Sequence, residues 1–331
     1  MNATASAKLR RISPTFKFVP APLPGKHPLR PPRPVFSMRI TPIDLHFRST
    51  PGLIASYLLE SGGEHALIET GPGSTLPALR AALQSHGVPT ESLRKVFVTH
   101  IHLDHAGAAG WFAQQGATIY CHPQAARHLI DPSRLVESAR MIYQEEMDTL
   151  WGDMLPAPAE RVIALADGES VTLGAEKITA WDTPGHARHH HAFVCGKVCF
   201  TGDTAGLRLE NTRYQSVTAA PPQFDPQAYT TSVDRLLAAS FETLYLTHFG
   251  AVTDVKEHLT AYRARILEVH ARVAAWHAEG LDEAEIRRRY HDAEHAEALK
   301  QGLSAADWQR CEDSNSTAMC ADGVRLSCVK R

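Results

Sequence analysis

The chain has no apolar run approaching the roughly 18 to 20 residues that a membrane-spanning helix requires, and its N-terminus lacks the apolar segment of a secretory signal. Membrane insertion is therefore not expected, and the cytoplasm is the expected compartment. The six cysteines (Cys121, Cys195, Cys199, Cys311, Cys320 and Cys328) are scattered through 331 residues without C-x-x-C spacing. That pattern argues against a disulfide framework or a structural zinc knuckle. Gly-x-Ser-x-Gly is absent too, so the chain offers no serine nucleophile elbow. Residues 1–37 contain no Asp or Glu, only Lys and Arg among charged residues, and carry Pro20, Pro22, Pro24, Pro28, Pro31, Pro32 and Pro34. Such a stretch has neither helical nor strand periodicity and reads as a disordered basic arm. The prolines would break an amphipathic targeting helix. The expectation is that Met38, which directly precedes an apolar stretch, is the true start.

What is present is a body with 44% hydrophobic residues over the whole chain and charges that nearly cancel, at −2. That suffices for one large core with a helical appendage. Removing the arm's seven Lys and Arg from −2 leaves −9, a charge that disfavours nucleic acid or another polyanion as a partner. The oligomeric state is not legible. Strand-like segments at Met38–Phe47, Ala55–Glu60 and His65–Glu69 are followed by helix and strand in alternation: a helix at Leu76–His86, strand at Lys95–Val98, helix at Ala108–Gln115 and strand at Thr118–Cys121. Residues 123–155 have a helical pattern, and Met141, Tyr143, Met147, Trp151 and Met154 are read there as core. A second β-rich half is expected from Val162 through Val171–Leu173, Ile178–Trp181, His191–Val194 and Val198–Thr201. After it come a helix at Pro226–Ala239, a strand at Thr243–Leu246 and helices over residues 254–309. A short strand at Val324–Val329 is the expected close. The domains read as the arm (1–37), a catalytic body (38–253) and a helical C-terminal extension packed on it (254–331).

Nineteen histidines are available, and the densest group is Thr99-His100-Ile101-His102-Leu103-Asp104-His105-Ala106-Gly107, between an apolar strand and a helix. Leaving a strand, His100 and His102 share one side, while Asp104 and His105 turn toward a neighbouring point. One segment can thus feed two metals, each needing further ligands from elsewhere, since zinc usually takes four.

His-x-His-x-Asp-His resembles the signature of the metallo-β-lactamase superfamily, and three later motifs follow in that family's order over about Met38–Gly250. They are Thr183-Pro184-Gly185-His186, Phe200-Thr201-Gly202-Asp203 and Thr247-His248-Phe249-Gly250. The resemblance implies an α/β fold, a four-layer αββα sandwich of two mixed β-sheets flanked by helices. It implies one metal on His100, His102 and His186, another on Asp104, His105 and His248, and Asp203 as the bridge. His190, four residues past His186, is implied to support the ligands without binding metal. Glu69-Thr70-Gly71 stands where the family commonly has Asp-Thr-Gly, so a supporting carboxylate is moved one methylene outward. Residues 128–135 also resemble a microbial subgroup of the superfamily. The remaining histidines His86, His122, His128, His270, His277, His291 and His295 read as solvated or structural.

The function so implied is a binuclear zinc (two Zn2+) hydrolase using a metal-bridging hydroxide on a small carboxylic ester, thioester or lactone, with Asp104 and Asp203 in the catalytic centre. Two other readings are a mononuclear iron (Fe2+) oxidoreductase resembling the sulfur dioxygenases and a non-enzymatic metal-binding sensor. The flavo-diiron branch is disfavoured because it needs Glu in place of His102.

Overall fold

A strand whose residues point alternately into two apolar layers must be covered on both faces. The strand β2 (Ala55–Ser61) is of this kind: Ala55, Tyr57 and Leu59 enter one cluster, Leu58 another. The computed structural model describes residues 38–329 together with Met1. Apart from Met1, the basic arm expected over residues 1–37 lies outside the described residues.

The first sheet runs in chain order: β1 (Arg39–Asp44), β2, β3 (Glu64–Ile68), β4 (Lys95–Phe97), β5 (Thr118–Cys121) and β6 (Val162–Ala164). The first three strands are antiparallel, and β3 to β6 are parallel. Parallel neighbours need crossovers, and helices supply them. They are α1 (Leu76–Ser85), then α2 (Leu103–Ala106) and α3 (Ala109–Gln114), then α4 (Pro123–Ile130), α5 (Ser133–Tyr143) and α6 (Met147–Leu150). The sequence pattern assigns Val162 to the second β-rich half. Instead β6 closes the first sheet, with Val162 opposite Ile119 of β5.

The second sheet is β7 (Ser170–Leu173), β8 (Glu176–Asp182), β9 (His191–Cys195), β10 (Val198–Gly202), β11 (Thr243–Leu246) and β12 (Gly250–Val252) in spatial order. It is antiparallel except for β10 and β11, which are parallel and joined through α7 (Pro226–Ala238). Tyr57, Ile68 and Phe97 of the first sheet meet Leu173, Ile178, Phe193 and Phe200 of the second between the layers. Leu79, Leu83, Phe112 and Leu129 cover the outside of the first sheet. The result is the αββα sandwich; burial of each such side chain contributes about 1.5–3 kcal/mol.

Four more helices follow: α8 (Val255–Ala278), α9 (Glu283–Lys300), α10 (Ala305–Ser314) and α11 (Thr317–Val329). Tyr262, Ile266 and Val269 of α8, Ile286 and Tyr290 of α9, and Cys320, Ala321 and Val324 of α11 share one cluster with Cys199 and Leu244 of the second sheet. The strand expected at Val324–Val329 is therefore helix. Cys320, Val324 and Ser327 recur at helical spacing and are buried, and at Gly323 a Cβ would lie 1.8 Å from the Ala219 carbonyl oxygen, so only glycine permits this approach. In the α5–α6 region, Met147 and Met154 are core as expected. Met141, however, is 75% exposed, and Tyr143 and Trp151 are half-buried.

Candidate metal centre

The C-terminal ends of β3, β4, β8, β10 and β11 deliver Glu69, Thr99 to His105, Thr183 to His186, Asp203, and Thr247 with His248. Gly202 makes the turn before Asp203 with φ 49°, and a Cβ there would fall 2.6 Å from both His190 Nε2 and Thr99 Oγ1. Glu69 adopts φ 63°, a left-handed conformation costly for a residue with a Cβ. That strain is offset by what its carboxylate accepts: Thr99 Oγ1–H, the Thr99 backbone N–H at 3.2 Å, His105 Nδ1–H at 3.1 Å and Thr247 Oγ1–H at 3.4 Å.

Three donor atoms converge first. His100 Nε2 and His186 Nε2 each lie 2.9 Å from His102 Nδ1 and 3.2 Å from one another. Beside them, His248 Nε2 is 3.3 Å from Asp104 Oδ2, and His105 Nε2 is 3.5 Å from the same oxygen. Asp203 touches both groups, with Oδ2 3.3 Å from His186 Nε2 and Oδ1 3.2 Å from His105 Nε2 and 3.5 Å from His248 Nε2. All seven residues anticipated as ligands thus come together.

The tautomers follow from the outer partners. His186 Nδ1 faces the Thr218 carbonyl at 2.9 Å and His248 Nδ1 the Leu53 carbonyl at 2.9 Å. His105 Nδ1 donates to Glu69 as above, and His100 Nδ1 donates to Thr99 Oγ1 at 3.0 Å, whose own proton goes to Glu69. A carbonyl or carboxylate requires N–H opposite it, so each Nε2 is the nitrogen turned inward, a lone pair wherever the ring is neutral. Lone pairs this close repel unless a cation or proton lies between them. His105 Nε2 and Asp203 Oδ1 are buried without a hydrogen-bond partner, which is the condition of ligand atoms. The donor set therefore fits metal ions.

Electrostatics agree. Burial and the adjacent imidazoles hold His100 and His102 well below the usual histidine range, and burial lowers His186 as well. Burial alone would raise the carboxyls of Asp104 and Asp203, but His105 and His248, joined at Asp203 by His186, outweigh it and keep both acids low. Conversely, burial opposes charge on His105 and His248, yet the Asp104 and Asp203 carboxylates prevail and raise both. Positive charge is thus drawn in beside the two buried carboxylates, on His105 and His248, at the place where a divalent cation would supply it instead.

His190 is placed differently from the simplest expectation. Its Nε2 accepts the Asp203 backbone N–H at 3.1 Å, and its Nδ1 lies 2.9 Å from Thr183 Oγ1 and 3.1 Å from Thr204 Oγ1. It holds the backbone of Asp203 rather than a ligand imidazole, because β9 and β10 are antiparallel neighbours and His190 meets the turn after Gly202. A separate trio, His122, Asp182 and His191, also clusters. There His122 Nδ1 accepts the Gln124 N–H as the α4 cap, so its Nε2 carries a proton toward Asp182 Oδ1, 3.3 Å away. That is a donor and not a ligand lone pair, and His122 is structural as read. The sequence reading does not single out Leu53, Thr218 or Ser314, whose contacts with His186 and His248 come from distant segments.

A family model described as the metallo-beta-lactamase superfamily matches residues 49–248. The chain belongs to the metallo-beta-lactamase superfamily. A metallo-beta-lactamase fold-containing protein of Sulfurisphaera tokodaii is 26% identical over 175 residues, which cover 51% of this chain and 66% of that relative. Among solved structures, a metallo-beta-lactamase family protein of Thermus thermophilus superimposes with TM-score 0.61 at 21% identity, over 88% of this chain and 92% of that one. An archaeal superfamily member from Sulfolobus tokodaii gives 0.58 at 22% identity, over 71% and 87%. These likenesses establish the fold. Among the described residues no helix is long and apolar enough to cross a membrane.

Proposed function

We propose that this metallo-beta-lactamase superfamily member is a binuclear zinc-dependent hydrolase of a small carboxylic ester, thioester or lactone. The observation that carries the reading is Asp203, whose two carboxylate oxygens face two separate donor sets: His100, His102 and His186 on one side, Asp104, His105 and His248 on the other. Each set offers three protein atoms, the number that catalytic rather than structural zinc sites use, with the shared carboxylate between them. When bound, zinc at such ligands supplies Lewis acidity toward a carbonyl and lowers the pKa of a water toward about 7.

The chain's own residues do the rest. His190 and the Tyr229 hydroxyl clamp the backbone N–H and carbonyl of Asp203, fixing the bridge in place. Tyr143, packed on Trp151 with ring centroids 5.0 Å apart, has its hydroxyl pushed up to about 12 by burial and by the Asp104 carboxylate. It stays protonated at neutral pH, a hydrogen-bond donor within electrostatic reach of Asp104. The charge of −9 outside the basic arm argues for a small substrate over a polyanion.

The test is a panel of esters, thioesters and lactones assayed with zinc-loaded and chelator-stripped enzyme. Turnover of one class that chelation removes and zinc restores is expected. Asp203→Ala should abolish it and weaken metal retention; unchanged rate and metal content in that variant would overturn the bridging role.

A further inference from the structure

The C-terminal helices reach the metal centre itself. Ser314, the last residue of α10, places its Oγ 3.0 Å from His248 Nδ1 and 3.3 Å from the Leu53 carbonyl oxygen. Because His248 Nδ1 also lies 2.9 Å from the Leu53 carbonyl, it must carry a proton, so the Ser314 hydroxyl accepts from the imidazole while donating to Leu53. This closed triangle turns His248 Nε2 toward Asp104 and Asp203.

Neighbouring contacts fix the serine. Arg310 of α10 donates to the Pro51 carbonyl at 2.9 Å, two residues before Leu53, and is held by Asp307 at 2.9 Å. Asn315, buried, donates to Ser216 Oγ at 2.9 Å and the Val217 carbonyl at 3.2 Å, and Cys320 Sγ in turn donates to its side-chain oxygen. The hydroxyl is thus set by the end of a packed helix and not by a free loop.

We propose that Ser314 is a positioning residue through which the C-terminal extension tunes one of the two metal sites, that of Asp104, His105 and His248. The proposal rests on the binuclear reading of the centre. Orienting partners behind ligand histidines are typically worth 10–100-fold in metal affinity. Ser314 lies on His248 alone among the seven ligands, so its effect is confined to one site.

The experiment titrates zinc into the metal-free full-length chain against a competing chromophoric chelator. Wild type is expected to take up two zinc ions in separable steps. Ser314→Ala should weaken one step about tenfold and leave the other within twofold, with the melting temperature of the metal-free chain unchanged. Ser314→Thr, which keeps the hydroxyl, should restore affinity, and in a His248→Ala background Ser314→Ala should have no further effect. Equal loss at both steps, no loss at either, or a persisting effect without His248 would overturn the positioning role. A wild-type chain that takes up no zinc would overturn the binuclear reading first, and the two failures are thereby distinguished.

Discussion

Glu69→Gln keeps the size of a fully buried side chain and removes its charge. The native carboxylate accepts four hydrogen bonds: from Thr99 Oγ1, His105 Nδ1 and Thr247 Oγ1 at one oxygen and from the Thr99 backbone N–H at the other. An amide has only one acceptor atom. Placed with its oxygen toward His105 it keeps three partners but turns its NH2 against the Thr99 N–H; flipped, it turns its NH2 against His105 Nδ1–H. Either way a buried donor loses its acceptor, which costs about 1–3 kcal/mol. The metal-free chain should therefore melt roughly 3–10 °C lower. Because His105 would be less firmly oriented, zinc at the Asp104, His105 and His248 set should bind about 10–100-fold more weakly. Glu69→Asp provides the converse: it keeps the charge but withdraws the carboxylate by about 1.5 Å, out of reach of His105 Nδ1, now 3.1 Å away. Calorimetry of the metal-free protein with a chelator-competition titration measures both effects. Wild-type melting and wild-type zinc affinity in Glu69→Gln would refute the account of this carboxylate.

Two further outcomes are expected. Gly202→Ala forces a Cβ into a left-handed turn 2.6 Å from His190 Nε2 and Thr99 Oγ1, so it should cost more than about 2 kcal/mol and displace Asp203; urea unfolding equal to wild type would contradict this. His258, buried in α8, donates from Nε2 to the Ala205 carbonyl at 2.9 Å and accepts from Gln215 at 2.8 Å, and burial with Arg208 nearby pushes it down to about 4. The unfolded chain protonates this residue near 6.5 and the folded chain only near 4, so stability falls as pH drops through that window, by up to about 3 kcal/mol from this one group, and not above it. In His258→Gln the dependence of unfolding free energy on pH between 6.5 and 4 should be shallower by up to one proton; identical slopes would remove the assignment.

The clustering of the seven residues proposed as ligands is legible because four of them sit within six positions and the others stand in short motifs at strand ends, where chain direction alone brings His186, Asp203 and His248 to one edge. Their outer partners are not. Thr218 and Leu53 contribute backbone carbonyls, which carry no side-chain signature, and Ser314 lies 66 residues beyond the histidine it touches. The same limit explains the tail: Val324–Val329 read alone is apolar enough for a strand, and only packing against α8 and α9, with Gly323 lying against Ala219, makes helix the form that buries it. Val162 joins the first sheet for a related reason, since a three-residue strand takes its sheet from its neighbour β5 and not from its own pattern. The family's Thr-Pro-Gly-His-x-x-x-His spacing points to His190 but not to its partner, the Asp203 backbone N–H.

The measurement that bears most directly on the central proposal is metal content per chain by mass spectrometry, on protein purified without chelator and without a histidine tag. The account predicts about two zinc ions per chain in wild type and fewer in Asp203→Ala. One iron per chain, or no bound metal, would contradict it; iron would direct the search to oxygen-dependent chemistry on thiol and persulfide substrates.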